Sequence, residues 1–337
     1  MSPKATPLLP TMGVGSYAAP GWFLASWREV RKGGWGAGDV EELLDDATRI
    51  VLADQIEAGI DILSDGELRR QRFVYEMFDR LSGLERQAPR RRLGIAGYDM
   101  APSFVAREPI AAPKGLGAVE EFLALKRLAP ASAPLKVAIP GPLTFAMSIA
   151  PAPGVLETLI AIVNAELKAL AAAGAAFVQL DEPGISRAPH GLSAKDGALA
   201  VNRALAGVEA QRAVHVCFGN NAGRPMADRR LGPLMDAMTA LDCDVLMLEF
   251  ANRQMADSEL LATLAKDYIV AAGVIDVKNF RLETPADVAE RLALCLKHAP
   301  AERLIATADC GFSALPRYLA RQKLQALAAG AELARGH

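Results

Sequence analysis

Four side chains of metal-binding type lie on or at the ends of predicted strands. His215 and Cys217 are two residues apart on one such strand, so both side chains point to the same face. Glu249 and Cys310 each end a different predicted strand. An imidazole, two thiolates and a carboxylate suit tetrahedral zinc. Such a site can bind a substrate thiol and lower its pKa, which gives a sulfur nucleophile at neutral pH. The carboxylate is the ligand that a substrate could displace most easily. A His-x-Cys pair also occurs as buried packing, so residue types and spacing leave both interpretations open.

Other predicted strands also end in polar or ionisable residues. In a (β/α)8 barrel the reacting groups come from the C-terminal ends of the strands and the loops that follow them. The further strand-end segments are Gly-Val-Gly-Ser at 13–16, Asp-Gly-Glu at 65–67, Pro-Gly-Pro at 140–142, Asp-Glu-Pro at 181–183 and Asp-Val-Lys at 276–278. These segments are therefore the candidate binding and catalytic positions.

Short apolar segments alternate with longer amphipathic ones, and this alternation predicts an α/β fold. The predicted strands are 12–16, 60–64, 136–139, 177–180, 213–216, 245–248, 269–274 and 304–307. The predicted helices are 40–58, 119–128, 155–173, 194–210, 226–241, 258–266, 285–298 and 315–334. Short apolar strands separated by helices indicate parallel pairing buried on both faces. Eight such units favour a single (β/α)8 TIM-barrel domain over residues 1–337, and an open doubly wound sheet is the alternative.

The segment 84–117 interrupts this alternation. It is rich in proline and glycine, it carries an arginine cluster from Arg86 to Arg92, and it is too long for an ordinary connection between strand and helix. We expect an insertion after the second predicted strand, in the form of a β-hairpin over the barrel mouth. Its arginines, with Tyr98 and Phe104, could hold an anionic tail or an acidic partner, or could belong to a solvated loop.

Composition excludes several classes of protein. A chain of 337 residues with 51% hydrophobic and 23% charged residues is not disordered throughout. A net charge of -2 argues against a nucleic-acid partner. The sequence lacks a signal-peptide core or an uninterrupted membrane span, so we expect a cytoplasmic protein with no membrane partner. Four cysteines in a reducing compartment are not a disulfide framework, and we assign Cys243 and Cys295 to packing.

Several segments, in the same order along the chain, resemble the cobalamin-independent methionine synthase family. The resemblance extends over roughly residues 11–333 and corresponds to the catalytic C-terminal half of the long members. The segments are Gly-Ser at 15–16, Asp-Gly-Glu at 65–67 with Arg70, Pro-Gly-Pro-Leu-Thr at 140–144, Gln-Leu-Asp-Glu-Pro at 179–183, His-Val-Cys-Phe at 215–218, Leu-Glu-Phe-Ala-Asn-Arg at 248–253, Gly-Val-Ile-Asp at 273–276, Pro-Ala-Glu-Arg-Leu at 300–304 and Asp-Cys-Gly at 309–311.

The resemblance implies a role for each site residue. His215, Cys217, Glu249 and Cys310 would hold a catalytic Zn²⁺. Gly15, Ser16, Glu67 and Asp181 would hold the amino-acid part of homocysteine, which agrees with the preference of an ammonium for carboxylates and of a carboxylate for N–H and hydroxyl donors. A salt bridge with Arg69, Arg70 or Arg253 is the alternative role for Glu67 and Asp181. Asp181 and Lys278 would be catalytic, although the long members have a histidine, implicated in proton donation, where this chain has Lys278.

The implied reaction is methyl transfer to a thiol, with homocysteine as the expected acceptor and methionine as the product. The expected donor is methyltetrahydrofolate or a methyl-corrinoid, which a corrinoid protein could carry. Alkyl transfer or lyase chemistry on another thiol, such as coenzyme M, is the main alternative. A structural zinc site in a binding module, and a metal-free barrel of the uroporphyrinogen decarboxylase type, are two further alternatives.

Overall fold

The elements of the chain follow the alternation that the sequence predicts. A computed structural model describes residues 7–70, 74–89, 102–220 and 223–336. The strands are β1 (Ser82–Gln87), β2 (Ser103–Ala111), β3 (Val137–Pro140), β4 (Phe177–Asp181), β5 (Gln211–Val216), β6 (Val245–Glu249), β7 (Ile269–Ile275) and β8 (Leu304–Ala308). The α-helices are α1 (Gly21–Val30), α2 (Ala37–Ala58), α3 (Val74–Phe78), α4 (Ala118–Leu128), α5 (Pro142–Ala146), α6 (Val155–Ala172), α7 (Gly184–Arg187), α8 (Ala194–Leu205), α9 (Met235–Met238), α10 (Leu261–Leu264), α11 (Pro285–Leu296) and α12 (Arg317–Arg335).

Strands β3 to β8 form one sheet in which each strand pairs with the next in the chain. The β4–β5 and β7–β8 pairs are parallel. Every residue of β3, β4, β6 and β8 is buried, as expected for strands covered on both faces. The prediction of an α/β fold with a parallel sheet is therefore confirmed, and pairing in chain order is what (β/α)8 connectivity requires.

The first two predicted strands, 12–16 and 60–64, appear as isolated parallel bridges rather than as continuous strands. Thr11 pairs with Ala306, Met12 pairs with Ile62, and Leu63 pairs with Leu135. These bridges connect β8 to the two segments and then to the residues just before β3. The two segments thus take the places in the pairing order that the sequence predicts for them.

Residue contacts divide the chain into two compact units. One consists of Met1–Gln71, Glu120–Val137 and Leu248–His337, and in it α12 packs against α2 and α11. The other consists of Arg72–Val119 and Ala138–Met247, and in it α6 packs against α5 and α8. The expectation that residues 1–337 form a single domain stays a prediction.

Helix boundaries follow local capping signals. Thr284 caps α11 by accepting from the Asp287 N–H at 3.1 Å, and Pro285 occupies the first helical position. The predicted helix 226–241 is wrong over most of its length, because only Met235–Met238 is α-helical there. Gly232 and Pro233 interrupt the apolar pattern with a 3₁₀ turn at Gly232–Leu234, which explains why helix α9 begins only at Met235.

The predicted insertion contains an antiparallel strand pair. β1 pairs with β2, and the register joins Ser82 to Ala111 and Gln87 to Ser103. The connecting residues 90–101, including Tyr98 and most of the arginine cluster, lie outside the described ranges. The role of segment 84–117 as an insertion therefore stays a prediction. No helix in the described ranges has the length and apolar character that a membrane crossing requires.

Candidate functional site

His215 near the end of β5 and Asp181 at the end of β4 are register partners in the parallel sheet. Both side chains are buried, and His215 Nδ1 donates to Asp181 Oδ1 at 2.9 Å. A carboxylate on Nδ1 keeps the proton there, so the lone pair of the neutral ring is on Nε2. Metal-binding histidines in proteins are commonly oriented by such a carboxylate.

Asp181 is itself held in place by its neighbours. Gln179 Nε2 donates to the same carboxylate oxygen at 2.7 Å. The main-chain carbonyl of Asp181 accepts from Thr144 Oγ1 and from the Gly141 N–H, each at 2.9 Å. The described contacts of the Asp181 carboxylate are thus with a histidine and an amide, and they lend no support to the alternative of an arginine salt bridge.

His215, Cys217 and Cys310 form the candidate metal group of the described residues. One ligand atom from each, an imidazole nitrogen and two Sγ atoms, lies within 4.8 Å of the others. Ligands bound to one zinc ion lie about 3.5–4 Å apart, since Zn–N and Zn–S bonds are about 2.0–2.3 Å long. The donor types, the close spacing and the orientation of His215 by Asp181 all fit zinc.

Glu249, the predicted fourth ligand, lies outside that group of three. It is fully buried at the end of β6, and its Oε2 accepts from Lys278 Nζ and from Asn252 Nδ2. The Lys278 side chain is almost completely buried, and its main-chain N–H donates to Asp276 Oδ1 at 2.8 Å. The structure thus brings Glu249 and Lys278 together, while ligation by Glu249 stays a prediction.

Asp309 fixes the loop that follows β6. Its carboxylate accepts from the N–H groups of Phe250 and Ala251 at 2.9 Å, and from that of Asn252 at 2.6 Å. Burial, reinforced by the charges of Glu249 and Asp276, raises its pKa well above the ordinary value. Asn252 also bridges the carboxylates of Glu249 and Asp309 through its side-chain amide. The sequence alone assigns no role to Asp309 or Asn252, although both belong to segments that resemble the family, 309–311 and 248–253.

The segment at Gly15 and Ser16 lies against the residues that follow Cys310. The Phe312 N–H donates to the Ser16 carbonyl at 2.7 Å. A Cβ atom on Gly311 would lie only 1.9 Å from Ser16 Oγ, so any larger residue here would displace the Ser16 hydroxyl. The structure therefore places one predicted substrate-binding segment next to a predicted metal ligand.

Glu67, a further predicted substrate ligand, is buried and lies next to an arginine. Its N–H donates to Asp65 Oδ1 at 3.0 Å, and its backbone is left-handed with φ 59°. Arg70 NH2 lies 3.8 Å from Glu67 Oε1, and Arg70 Nε lies 2.9 Å from Glu121 Oε2. Glu67 therefore makes the salt bridge of the alternative interpretation, and its contact with a substrate ammonium stays a prediction.

Glu182 is a fully buried acid that the sequence interpretation missed. Its carboxylate accepts from the Leu143 N–H at 3.1 Å and from Thr144 Oγ1 at 2.8 Å. Burial nevertheless raises the pKa of Glu182 to about 8, because desolvation outweighs these hydrogen bonds. Its place beside Asp181 in the Asp-Glu-Pro segment is the signal that could have identified it.

The cysteines fall into the two classes that the sequence suggests. Cys217 and Cys310 lie in the candidate metal group, whereas Cys243 and Cys295 are buried elsewhere. Burial raises the pKa of each of the latter two thiols to about 12, so both are inert as nucleophiles.

Comparison with known proteins agrees with this geometry. Residues 9–333 match the family described as the catalytic domain of cobalamin-independent synthase. A methionine synthase of Sulfurisphaera tokodaii is 32% identical over 98% of this chain and 93% of its own. One of Saccharolobus solfataricus is 31% identical over 98% of this chain and 96% of its own. A B12-independent methionine synthase from Shewanella sp. W3-18-1, solved in complex with selenomethionine, superposes with a TM-score of 0.80 at 28% identity and 98% coverage of both chains. The chain therefore belongs to the family of cobalamin-independent methionine synthase catalytic domains.

Proposed function

We infer that the protein is a zinc-dependent methyltransferase that moves a methyl group to the thiol of homocysteine and so forms methionine. One observation carries this proposal: a histidine oriented by a buried carboxylate lies within 4.8 Å of two cysteine thiols. The related methionine synthases and the superposable structure bound to selenomethionine support the choice of an amino-acid thiol.

Under this proposal, His215, Cys217 and Cys310 hold the zinc, and Glu249 is the fourth ligand. Zinc, when bound, supplies the positive charge that favours the thiolate form of the acceptor. Asp181 keeps the lone pair of His215 on Nε2.

The amino-acid part of the acceptor binds to the strand-end segments. Glu67 and Asp181 attract its ammonium, and the backbone N–H and hydroxyl groups at Gly15 and Ser16 bind its carboxylate. Lys278 is buried beside Glu249, where an ammonium can stabilise negative charge or supply a proton.

The methyl donor is methyltetrahydrofolate or a methyl-corrinoid, the latter free or on a corrinoid protein. A different acceptor, such as coenzyme M, is the second candidate. The ammonium of Lys278 suits a sulfonate, and this residue stands where the long members of the family have a histidine.

The test is transfer of an isotopically labelled methyl group. Zinc-loaded protein is incubated with homocysteine and either labelled methyltetrahydrofolate or labelled methylcobalamin, and labelled methionine is measured by mass spectrometry. A parallel arm replaces homocysteine with coenzyme M. His215→Ala should abolish the transfer, whereas Cys295→Ser, the matched control, should retain it. Labelled product from coenzyme M alone would show that coenzyme M, and not homocysteine, is the acceptor. The absence of labelled product from every combination would refute the proposal.

A further inference from the structure

Helix α12 carries a fully buried lysine that contacts the loop after β7. Lys323 Nζ donates to the Asp276 carbonyl at 2.7 Å, to the Arg281 carbonyl at 2.5 Å and to Glu283 Oε2 at 2.6 Å. An ammonium has three donors, so these three acceptors satisfy it completely. The neighbouring helical positions Leu319, Leu324 and Leu327 are buried and apolar, which makes a charged residue here unusual.

Glu283, the partner of Lys323, is also buried and connects back to the start of the same loop. Its Oε1 accepts from the Asp276 N–H at 2.9 Å and from Arg291 NH1 at 3.3 Å. Both polar groups of the Asp276 main chain are therefore held, the N–H by Glu283 and the carbonyl by Lys323. Segment 276–283 is tied at its first and last residues.

A buried ion pair of this kind adds little net stability, because desolvation of the two charges offsets their attraction. Its clearer physical effect is to fix geometry. The segment that it ties contains Lys278, whose N–H donates to Asp276 Oδ1 at 2.8 Å and whose ammonium pairs with Glu249. The position of Asp276 therefore determines where the Lys278 side chain begins.

We propose that Lys323 and Glu283 are positioning residues, which hold segment 276–283 so that the Lys278 ammonium lies against Glu249. The proposal rests on the proposed function, in which the Lys278 ammonium beside Glu249 stabilises negative charge or supplies a proton. Neither Lys323 nor Glu283 touches the substrate in this proposal, so their effect on turnover passes through Lys278.

A double-mutant cycle tests this dependence. Lys323→Met matches the lysine side chain as far as Cε and removes its ammonium. We expect kcat to fall about tenfold with KM for the thiol nearly unchanged, because small displacements of a catalytic group lower turnover strongly. In a Lys278→Met background the same change should lower kcat by less than about twofold. An equal loss in both backgrounds would show a merely structural role and overturn the proposal.

Hydrogen exchange of segment 276–283 supplies a readout that needs no turnover. Lys323→Met should speed exchange of the Asp276 amide at least about tenfold, since a hydrogen-bonded amide exchanges through local opening. Arg335→Met is the matched control, because it removes the 2.7 Å pair between Arg335 on the same helix and Asp61; it should leave both exchange in this segment and kcat unchanged.

The two readouts separate the two proposals. A wild-type protein that transfers no methyl group refutes the proposed function, while hydrogen exchange still decides whether Lys323 holds the segment. Unchanged exchange in Lys323→Met overturns the positioning role whatever the activity. Should Lys323→Met fail to fold, Glu283→Gln takes its place in both experiments, with the same expected and refuting results.

Discussion

Asp181 should control how tightly the protein binds zinc, before any thiol is present. Its Oδ1 accepts from His215 Nδ1 at 2.9 Å, and both side chains are less than a tenth exposed. Removal of such a carboxylate partner of a metal-bound histidine typically weakens metal binding 10- to 100-fold, or about 1.4–2.7 kcal/mol. We expect Asp181→Ala to lie near the upper end of that range. Asp181→Asn keeps an acceptor but loses the charge, so it should lie near the lower end.

The assay is competition for zinc against a chromogenic chelator, with the thiol omitted so that only the metal site is probed. Asp242→Asn is the control, because Asp242 is exposed and, within the described ranges, its carboxylate pairs with Arg212 at 3.2 Å; the zinc affinity of this variant should stay within about twofold of wild type. A folded Asp181→Ala protein that binds zinc as tightly as wild type would refute the orienting role. If its affinity for homocysteine fell at the same time, Asp181 would act on the substrate ammonium alone.

Three further predictions concern single side chains. Cys310→Ser should remove most bound zinc and Cys295→Ser almost none, as measured by metal analysis; equal zinc content would refute the ligand assignment. Because burial raises the pKa of Glu182 from 4.5 to about 8, the stabilisation by its neutral form is present below about pH 4.5 and lost as the pH rises to about 8. The free energy of unfolding of Glu182→Gln, measured with denaturant, should therefore rise relative to that of wild type by up to about 1 kcal/mol per pH unit across that range. A difference between the two proteins that stays constant with pH would contradict the raised pKa. Gly311→Ala would place a methyl group 1.9 Å from Ser16 Oγ and so displace that hydroxyl. The affinity of this variant for homocysteine, measured by calorimetry, should fall at least tenfold. An affinity equal to that of wild type would show that Ser16 does not bind the substrate.

Much of the sheet could be predicted from the sequence, because its strands are short runs of apolar residues. The bounds of β3 to β8 agree with the predicted strands to within two residues. The first two predicted strands were identified by the same signal, but they pair through isolated bridges, which depend on neighbours distant in the chain. The predicted helix 226–241 is wrong because Gly232 and Pro233 break the chain with a 3₁₀ turn, which apolar spacing alone does not reveal.

The candidate metal group was predictable for a related reason. His215, Cys217 and Cys310 stand where strands end, and parallel strands that end at one edge bring such residues together. The direction of each buried polar side chain was not predictable. Nothing in the spacing indicates that Asp181 accepts from His215, or that Lys278 meets Glu249, because such contacts depend on packing between elements that are far apart in sequence.

The buried polar groups around the site share one arrangement. Asp309 accepts three N–H groups of the loop after β6, Glu182 accepts the Leu143 N–H after β3, and Lys323 holds the carbonyl of Asp276 after β7. Each is a desolvated ionisable group, which is expensive to bury unless its hydrogen bonds are made. An apolar residue of similar size would avoid that cost but could not hold a main-chain N–H or carbonyl group. The feature that these residues have in common is therefore the fixing of the main chain that follows a strand, which an apolar residue at the same buried position could not provide.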